Sequence, residues 1–459
     1  MRMKRTGRTI VVGGISILLA APALAQTQRQ YAIIDFSSRP ADQVSAGWGI
    51  NARGAVAGRF SHGNYTRGGL WYRNSVDFFK PFASSRFMVS DARGLNDLDQ
   101  VVGFAMINED YFQRHAALWD GATSIDLGTT GGEYSEAYAI NNLGQVVGMS
   151  VSAIPDVFTD AFLWQSGVMI ALPRFSQNAH ANEAWDINDR GQIVGLQYSD
   201  DGEGIIQSAL LWDNGVPTRL EPLVPNHHAF AWAINDVGQI AGASEVALDQ
   251  AVIWENGVPR NIDNFTFGQT STLAHDINNV GQVVGTAFDV FYDDFAWIWQ
   301  NDKMQRLADF VPPRSGWVLD KAWAINDSGQ ITGSGDHGPA NFHAFMMSPV
   351  TPEMTLSAPE PGLAGQENTV SITNCIPGER VYLMYGTNGG GTYVPGCDVL
   401  AAVVQIETAD VAGSAVADAL GTTVIQVMVP ASRSGAKALL QAVNRSSCQE
   451  SQLIDVVFE

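Results

Sequence analysis

Four loops rich in acidic and aromatic residues carry the side chains of this 459-residue chain that are best suited to binding chemistry. They contain the candidate binding residues Asp110, Tyr111, Asp200, Asp201, Glu203, Tyr292, Asp293, Asp294, Asp336 and His337. Several oxygen ligands that converge would bind calcium. The run Asp200-Asp201-x-Glu203 is the best candidate for this, but it lacks the spacing of a known calcium loop. We therefore expect no cofactor and no metal ligands, with calcium as the alternative.

Catalytic motifs are missing from the sequence. Gly-x-Ser-x-Gly, His-Glu-x-x-His and the phosphate loop do not occur. The adjacent His227 and His228 have no third ligand nearby in sequence. We predict no catalytic residues. An enzyme remains the alternative, because propellers can assemble sites from distant loops.

A repeated stretch must position these loops. An apolar residue followed by Asn recurs every 43 to 48 residues, usually with Gly three residues later and Gln after it. The Asn falls at Asn51, Asn96, Asn141, Asn188, Asn235, Asn278 and Asn326. A fixed period of this length indicates a propeller, a solenoid or an array.

Each period divides into four short strands, named a to d. In the clearest copy these are residues 231–235, 239–244, 251–254 and 259–265, with a turn at 236–238 and another at Asn256-Gly257. Four strands in about 46 residues is the size of a propeller blade. The Asn-x-x-Gly turn suits a type I turn followed by a left-handed residue, so we interpret its Asn as structural.

Strand a carries one large residue per repeat, at Trp48, Arg93, Tyr138, Trp185, Trp232, His275 and Trp323. Period-two alternation places this residue and the following Ile on one face of the strand. We therefore predict that the stripe forms the core between blades, with a ligand cage as the alternative.

Strand c repeats a second pattern, such as His115-Ala116-Ala117-Leu118-Trp119 and Asp160-Ala161-Phe162-Leu163-Trp164. Together with Ile-Asn-x-x-Gly-Gln-Val-Val-Gly, it resembles the bacterial extracellular HAF repeat family over about residues 31–350. The last copy departs from the pattern by ending in Met346-Met347. The resemblance implies an exported repeat protein and no defined activity.

The seventh repeat has no strand d, whereas residues 31–36 form a strand ahead of the first repeat. That strand can complete the last blade and leave no unpaired half blade. The sequence thus predicts an all-β fold, with a seven-bladed β-propeller over residues 27–350. The Asn-x-x-Gly turns lie on one face, and the long loops that hold the candidate residues lie on the other. Binding commonly resides in such loops, although solvated loops without a role would also vary.

The first 25 residues predict a secretory signal peptide. Four basic residues precede an apolar segment at 10–21 and the small-residue cleavage site Ala23-Leu24-Ala25. A retained membrane anchor is the alternative. Removing Arg2, Lys4, Arg5 and Arg8 takes the formal charge from −21 to −25. So acidic a chain is expected to bind neither nucleic acid nor anionic membrane surfaces. We expect a monomer that is secreted into the periplasm or beyond.

Residues 353–459 lose the repeat and contain short alternating strands separated by turn residues such as Pro377-Gly378. This pattern predicts a small β-sandwich, similar in outline to immunoglobulin or fibronectin type III modules. The segment also resembles a C-terminal module of exported bacterial proteins, through Val394-Pro395-Gly396-Cys397 and the segment around Cys448. That resemblance implies a disulfide between Cys397 and Cys448. Pairing of Cys375 with either partner is the alternative.

Taken together, these features predict an exported, non-enzymatic binding or scaffold protein. Its propeller would present the long-loop face to a protein or a glycan. The alternative is a polysaccharide-acting hydrolase or lyase with its site at the mouth of the propeller channel. A purely structural surface or matrix component is the third possibility.

Overall fold

The protein is described by a computed structural model. The described residues are 30–36, 42–62, 65–72, 75–82, 89–108, 113–155, 157–200, 204–264, 270–288, 294–311, 315–338, 340–350, 354–375, 380–393, 403–407, 410–417, 422–444, 451 and 453–459. The signal peptide predicted at 1–25 lies outside them. No described residue belongs to an α-helix, and no described helix is long and apolar enough to cross a membrane.

The repeats form sets of four antiparallel strands, and we number these sheets 1 to 7 in the order of their inner strands. Sheets 3 and 4 are joined into one by a single parallel pair between Thr159 and Ala181. The chain begins with β1 (Gln30–Asp35). Sheet 1 contains β2 (Asp42–Ile50), β3 (Val56–His62), β4 (Tyr65–Tyr72) and β5 (Ser75–Phe78). Sheet 2 contains β6 (Ser90–Leu95), β7 (Val101–Met106), β8 (Arg114–Asp120) and β9 (Thr123–Asp126). Sheet 3 contains β10 (Ser135–Ile140), β11 (Val146–Val151), β12 (Thr159–Gln165) and β13 (Val168–Ala171).

The later repeats follow the same order. Sheet 4 contains β14 (Ala179–Ile187), β15 (Ile193–Asp200), β16 (Ile205–Asp213) and β17 (Val216–Arg219). Sheet 5 contains β18 (Ala229–Ile234), β19 (Ile240–Glu245), β20 (Asp249–Glu255) and β21 (Val258–Asn261). Sheet 6 contains β22 (Ser271–Ile277), β23 (Val283–Phe288), β24 (Asp294–Gln300) and β25 (Lys303–Arg306), followed by a 3-10 turn at Leu307–Phe310.

Sheet 7 joins the two ends of the repeat region. It contains β26 (Trp317–Ile325), β27 (Ile331–His337) and β28 (Ala340–Val350). Its fourth strand is β1, which pairs antiparallel with β28 so that Ile33 lies opposite Met347. The amide of Phe36 extends the pairing by donating to Ala344 O at 3.1 Å. The outer edge of β28 is therefore covered by main-chain hydrogen bonds from the beginning of the chain.

Large apolar side chains from the third strand of each sheet fill the space between neighbouring sheets. Trp212 and Trp254 are fully buried, and so are Trp297, Phe162 and Phe345, which lie two positions earlier in their strands. The second strands add Val, Ile and Ala side chains to the same clusters. Twisted sheets that pack face to face around a common axis form a β-propeller, and this is the fold of the repeat region.

The inner turns confirm the geometry expected of Asn-x-x-Gly. The glycine has a positive φ in six of the repeats, for example 75° at Gly191 and 76° at Gly329. The second repeat departs from the pattern, because Asp99 takes the same left-handed conformation with φ of 61°. Asp is one of the few residues with a side chain that tolerate this region, since its short polar group hydrogen-bonds locally.

The tail forms antiparallel sheets of its own. One contains β29 (Thr355–Leu356), β30 (Glu367–Thr373) and β35 (Thr423–Met428). Another contains β31 (Arg380–Gly386), β34 (Asp410–Val416), β36 (Lys437–Asn444) and β37 (Ile454–Val457). A hairpin joins β32 (Asn388–Tyr393) to β33 (Val403–Glu407), and a 3-10 turn spans Ala431–Arg433.

The two larger tail sheets contribute to one apolar core. Val370 and Ile425 from the first pack in the same cluster as Leu383 and Ala442 from the second. Cys375 is buried in this cluster, with Sγ 3.8 Å from Ile372 O. The predicted disulfide partners Cys397 and Cys448 lie outside the described residues, so their pairing stays a prediction.

Candidate functional site

A β-bulge in every inner strand of the propeller turns one side chain towards the axis. The register between the first and second strands shifts at the same place in each sheet, for example between Ala184 and Asp186 and between Ala231 and Ala233. The residue skipped by the pairing is the large residue of the stripe, such as Trp185 or Trp232. A bulge inserts one unpaired residue and breaks the alternation of faces.

The stripe lines an axial cavity of about 210 Å³, which we call the axial chamber. Its wall contains Trp48, Arg93, Tyr138, Trp185, Trp232, His275 and Trp323, one from each sheet. The predicted placement of this stripe in the core between blades is therefore wrong. Period-two alternation fails at the bulge, so Trp185 faces the chamber whereas Ile187 packs between sheets. The ligand-cage alternative agrees with this position.

Neighbouring rings of the wall contact one another around the axis. Tyr138 and Trp185 are parallel within 16°, with centroids 4.6 Å apart. The ring centroid of Trp323 lies 4.5 Å from that of His275 and 4.8 Å from that of Trp48, and both pairs are tilted. Such contacts hold each ring in one orientation and leave its remaining surface exposed to the chamber.

Arg93 supplies the positive charge of the wall. Its guanidinium carbon lies 5.6 Å from the Trp48 ring centroid and 5.7 Å from that of Tyr138, within cation–π range. Its Nε lies 3.3 Å from Oδ2 of the buried Asp91, and its NH2 group lies 3.7 Å from Glu136. The aromatic faces and carboxylates fix the guanidinium and offset the cost of burying its charge.

Two partly buried aspartates also line the chamber, and each connects its sheet to the next. Asp186 accepts from the amides of Ile187 and Ile234, both at 2.8 Å. Asp276 accepts from the equivalent amides of Ile277 at 2.8 Å and Ile325 at 2.7 Å. Burial raises the pKa of Asp186 to about 6 and that of Asp276 to about 7, against the opposing effect of the amide donors. Both carboxyls can therefore exchange a proton near neutral pH.

His275 is held in its neutral form by its surroundings. Burial between aromatic rings, with a smaller effect of the positive charge of Lys321, lowers its pKa to about 3. Nε2 lies within hydrogen-bond distance of the Thr286 hydroxyl, at 3.1 Å. At neutral pH this side chain therefore offers the chamber a polar but uncharged ring.

Asparagine side chains form a closed ring at one mouth of the chamber. Each Asn Nδ2 donates to the main-chain oxygen of the Asn in the next repeat, at 2.9 to 3.2 Å. The series runs through Asn51, Asn96, Asn141, Asn188, Asn235, Asn278 and Asn326, and the last bond returns from Asn326 to Asn51. These residues line a cavity of about 230 Å³. It shares lining residues such as Ile140 and Asp276 with the axial chamber.

A second series of bonds lies outside the first. The amide after each Asn donates to the side-chain oxygen of the equivalent residue in the next repeat, for example Asp189 N to Asp236 Oδ1 at 2.9 Å. The series runs from Ala52 to Asp327. It ends there because Ala52 offers no side-chain acceptor to Asp327. This mouth therefore presents carboxylate and amide groups towards solvent.

Two glutamates lie on neighbouring inner strands, two residues before Tyr138 and Trp185 and so towards the long-loop face. Glu136 Oε1 accepts a hydrogen bond from Arg114 Nε at 2.6 Å. Burial and the nearby charge of Glu136 raise the pKa of Glu183 to about 7. One carboxylate is thus compensated by arginine while its neighbour is partly protonated at neutral pH, which is the pattern of an acid and base pair.

The predicted loop residues have several outcomes. Asp110, Tyr111, Asp201, Glu203, Tyr292 and Asp293 lie outside the described residues, and Asp200 lies exposed at the end of β15. The calcium expectation therefore stays a prediction.

The remaining three loop candidates lie on or beside sheet 7. Asp294 Oδ2 lies 3.3 Å from Lys321 Nζ, and Asp336 accepts from the Phe342 amide at 3.1 Å. Burial, together with the charges of Asp336 and Asp294, raises the pKa of Asp320 to about 6. His337 contacts Asp35 on β1 instead.

The residues of the axial chamber were predicted as a ligand cage only as the alternative to a core stripe. The available signal was the presence of Arg93 and His275 within an otherwise aromatic stripe, since buried cores seldom accept such residues. Asp186 and Asp276 replace Gly or Ala at the next position, which is a second signal of polar surroundings.

No protein-family profile matches the chain, and no curated protein matches it in sequence. Among solved structures, it is similar to the β-propeller domain of the Trilobed protease from Pyrococcus furiosus, with TM-score 0.46, 11% identity, and coverage of 67% of this chain and 93% of that one. It is also similar to a streptogramin B lyase, with TM-score 0.43, 11% identity, and coverage of 70% and 98%. A fungal alcohol oxidase of the AA5 family gives a TM-score of 0.41 and 12% identity, covering 94% of this chain and 99% of that one. At these identities the likeness concerns the fold alone.

Proposed function

We propose that this chain is an exported binding protein that holds the end of a glycan in the axial chamber of a seven-bladed propeller. The blade count is supported by the closed series of seven asparagine hydrogen bonds and by the pairing of β1 with β28. Export rests on the features of residues 1–25 and on the resemblance to HAF repeats. The tail, as a C-terminal β-sandwich, would serve as an accessory module.

The aromatic wall is the observation that carries the ligand class. Four tryptophans and a tyrosine face one small cavity, and aromatic faces pack against the C–H faces of sugar rings. Arg93, Asp186 and Asp276 supply donors and acceptors for hydroxyl groups. Polar groups placed among aromatic side chains are typical of small-molecule sites.

The size of the chamber restricts the ligand. Its volume of about 210 Å³ is below the range of about 300 Å³ upwards that drug-sized ligands occupy. A single sugar ring is a better match than a chain that threads the axis. The proposal is therefore recognition of a terminal residue, with the rest of the glycan outside a mouth of the channel.

The test is a binding panel on the purified protein. Tryptophan fluorescence and the thermal midpoint would be followed with monosaccharides, cell-wall glycans and extracellular polysaccharides, and with calcium and chelator as separate arms. A ligand at a hundredfold excess over its Kd stabilises the folded state by about 2.7 kcal/mol. We expect one class of sugar to change both signals, and Trp185→Ala to weaken its binding at least tenfold. Trp164→Phe is the matched control, because Trp164 packs outside the chamber against the core of sheets 2 and 3.

If no sugar changes either signal, or if Trp185→Ala binds as tightly as the wild type, glycan binding in the chamber is refuted. A protein partner on the long-loop face, or a purely structural role, would then be favoured. Pull-down from the cell envelope distinguishes these two.

A hydrolase or lyase acting on polysaccharide is the second candidate. It is favoured by the pairing of Glu183, whose pKa is raised to about 7, with an arginine-bound Glu136 close to the axis. Retaining and inverting glycosidases use two carboxyl groups in these two states. Release of reducing sugar from a panel glycan, abolished by Glu183→Gln, would establish it. Binding of a glycan without release of reducing sugar would favour the binding protein over the enzyme.

A further inference from the structure

A carboxylate and two imidazoles meet where the first strand joins the last sheet. Asp35 lies at the end of β1, His337 at the end of β27 and His343 within β28. His337 Nδ1 lies 2.7 Å from Asp35 Oδ2, and His343 Nδ1 lies 3.0 Å from the same oxygen. We call these three residues the closure triad. Their ligand atoms all lie within 4.8 Å of one another.

The surroundings of the triad orient its two imidazoles. The ring of Trp317 stacks on His337, with centroids 4.5 Å apart and planes within 3°. His343 is only 12% exposed, and its Nε2 is buried without a hydrogen-bond partner among the described residues. Nδ1 is therefore the only engaged nitrogen of this ring. Its lone pair tolerates the facing carboxylate only when a proton or a cation lies between them.

The donor set and spacing fit a transition-metal ion. Two imidazoles and one carboxylate suit zinc and its neighbours, whereas calcium and magnesium prefer oxygen ligands alone. Zinc binds nitrogen and carboxylate oxygen at about 2.0–2.2 Å, which separates two tetrahedral ligand atoms by about 3.3 Å. The observed 2.7 and 3.0 Å need to widen by only a few tenths of an ångström. His337, 36% exposed, leaves solvent access for a water ligand.

We propose that the closure triad binds one divalent zinc-class ion, which ties the N-terminal strand to the last sheet of the propeller. The site is distinct from the axial chamber and does not depend on glycan binding. Because the ligands come from both ends of the repeat region, an ion bound there stabilises the closed ring in preference to the opened one.

The test is titration of the purified, chelator-treated protein with Zn²⁺, followed by equilibrium dialysis and by the thermal midpoint. We expect one ion per chain and a midpoint that rises by several degrees and returns on adding chelator. Ca²⁺ should leave it unchanged. His337→Gln and His343→Gln should each weaken Zn²⁺ binding at least tenfold. His337→Gln changes a partly exposed side chain, so it tests the site even if His343→Gln impairs folding.

His227→Gln is the matched control. His227 and His228 also face a carboxylate on the propeller, but both lie 3.8 Å from Glu245 Oε2. This variant should bind Zn²⁺ as the wild type does. Wild-type protein that takes up no stoichiometric zinc would overturn the proposal, as would tight binding that survives both triad substitutions. Loss of binding in the control instead would move the site to His227.

Discussion

Replacing Asn188 by Ala tests whether the asparagine ring holds neighbouring sheets together. Asn188 is 3% exposed. Its Oδ1 accepts from the amides of Arg190 at 3.1 Å and Gln192 at 3.0 Å. Its Nδ2 donates to Gln192 Oε1 at 2.9 Å and to Asn235 O at 3.1 Å. The substitution removes all four bonds, one of which crosses to the next sheet.

The expected loss follows from the number of bonds and their burial. Each hydrogen bond contributes about 0.5–1.5 kcal/mol net, and buried groups left without a partner cost more. Four bonds give about 4 kcal/mol. Water entering from the open mouth of the cavity can restore part of this, so we expect a loss of about 2–4 kcal/mol. Asn188→Asp keeps both bonds to Oδ1 but places a carboxylate oxygen against Gln192 Oε1 and Asn235 O, so it should cost at least as much.

The matched control is the next residue in the same turn. Asp189 makes its own inter-repeat bonds, accepting from Asn142 N at 2.8 Å and Asn142 Nδ2 at 3.0 Å, but these are exposed. Asp189→Ala should therefore cost less than about 1 kcal/mol. Urea unfolding followed by tryptophan fluorescence measures each free energy. A loss below 1 kcal/mol for Asn188→Ala, or equal losses for both variants, would refute the reasoning.

Three further predictions concern the interior and the first turn. His275 has a pKa of about 3 in the folded protein and near 6.5 in the unfolded chain. Because only the unfolded chain takes up the proton, the free energy of unfolding falls as the pH drops below 6.5, by about 2 kcal/mol at pH 5. His275→Phe should remove this loss. The free energy of unfolding, measured at pH 7.5 and at pH 5, should therefore fall less in the variant than in the wild type. The carboxyls with raised pKa values gain stability as the pH falls, but they do so equally in both proteins. Trp297→Ala should cost about 3–5 kcal/mol and Trp185→Ala about 1–2, because only Trp297 lies between sheets; equal unfolding free energies would contradict the chamber. In the first turn, where Ala55 stands in place of the Gln of the other repeats, Asp99 Oδ1 accepts from Asn51 Nδ2 at 2.9 Å. Asp99→Gly should remove this bond and destabilise the protein, and Ala55→Gln should restore the stability, with a coupling of about 1 kcal/mol in a double-mutant cycle; additive effects would show that Asp99 does not replace the missing Gln.

The sequence was sufficient to predict features that depend on local chemistry. Asn and Gly define their turn through a side-chain cap and a left-handed residue, so the position of each inner turn followed from the repeat alone. The apolar run ending in Trp254 or Trp299 likewise indicated the third strand of a sheet. These features depend on a few neighbouring residues, and the same pattern recurs in every repeat.

The chamber could not be predicted in the same way, because it depends on a bulge. Trp232 and Ile234 are two residues apart, and alternation puts them on one face of a regular strand. In the structure the pairing skips Trp232, so the two side chains diverge. Nothing in the local sequence requires this shift. At the bulge the two strands lie so close together that a Cβ at Gly242 would be 1.8 Å from Phe230 O.

The departures from the repeat gather at the first sheet. Ala55 replaces the Gln that accepts Nδ2 of the ring asparagine in the other repeats, and Asp99 of the second sheet takes over by accepting from Asn51 at 2.9 Å. On the other side of the first sheet, Ala52 ends the outer series of bonds at the junction with the last sheet. A ring of identical repeats has no unique place to close, because each repeat interacts with its neighbours in the same way. Ala52, together with β1, distinguishes the junction of the first and last sheets from the others, so closure there is set by side chains as well as by the ends of the chain.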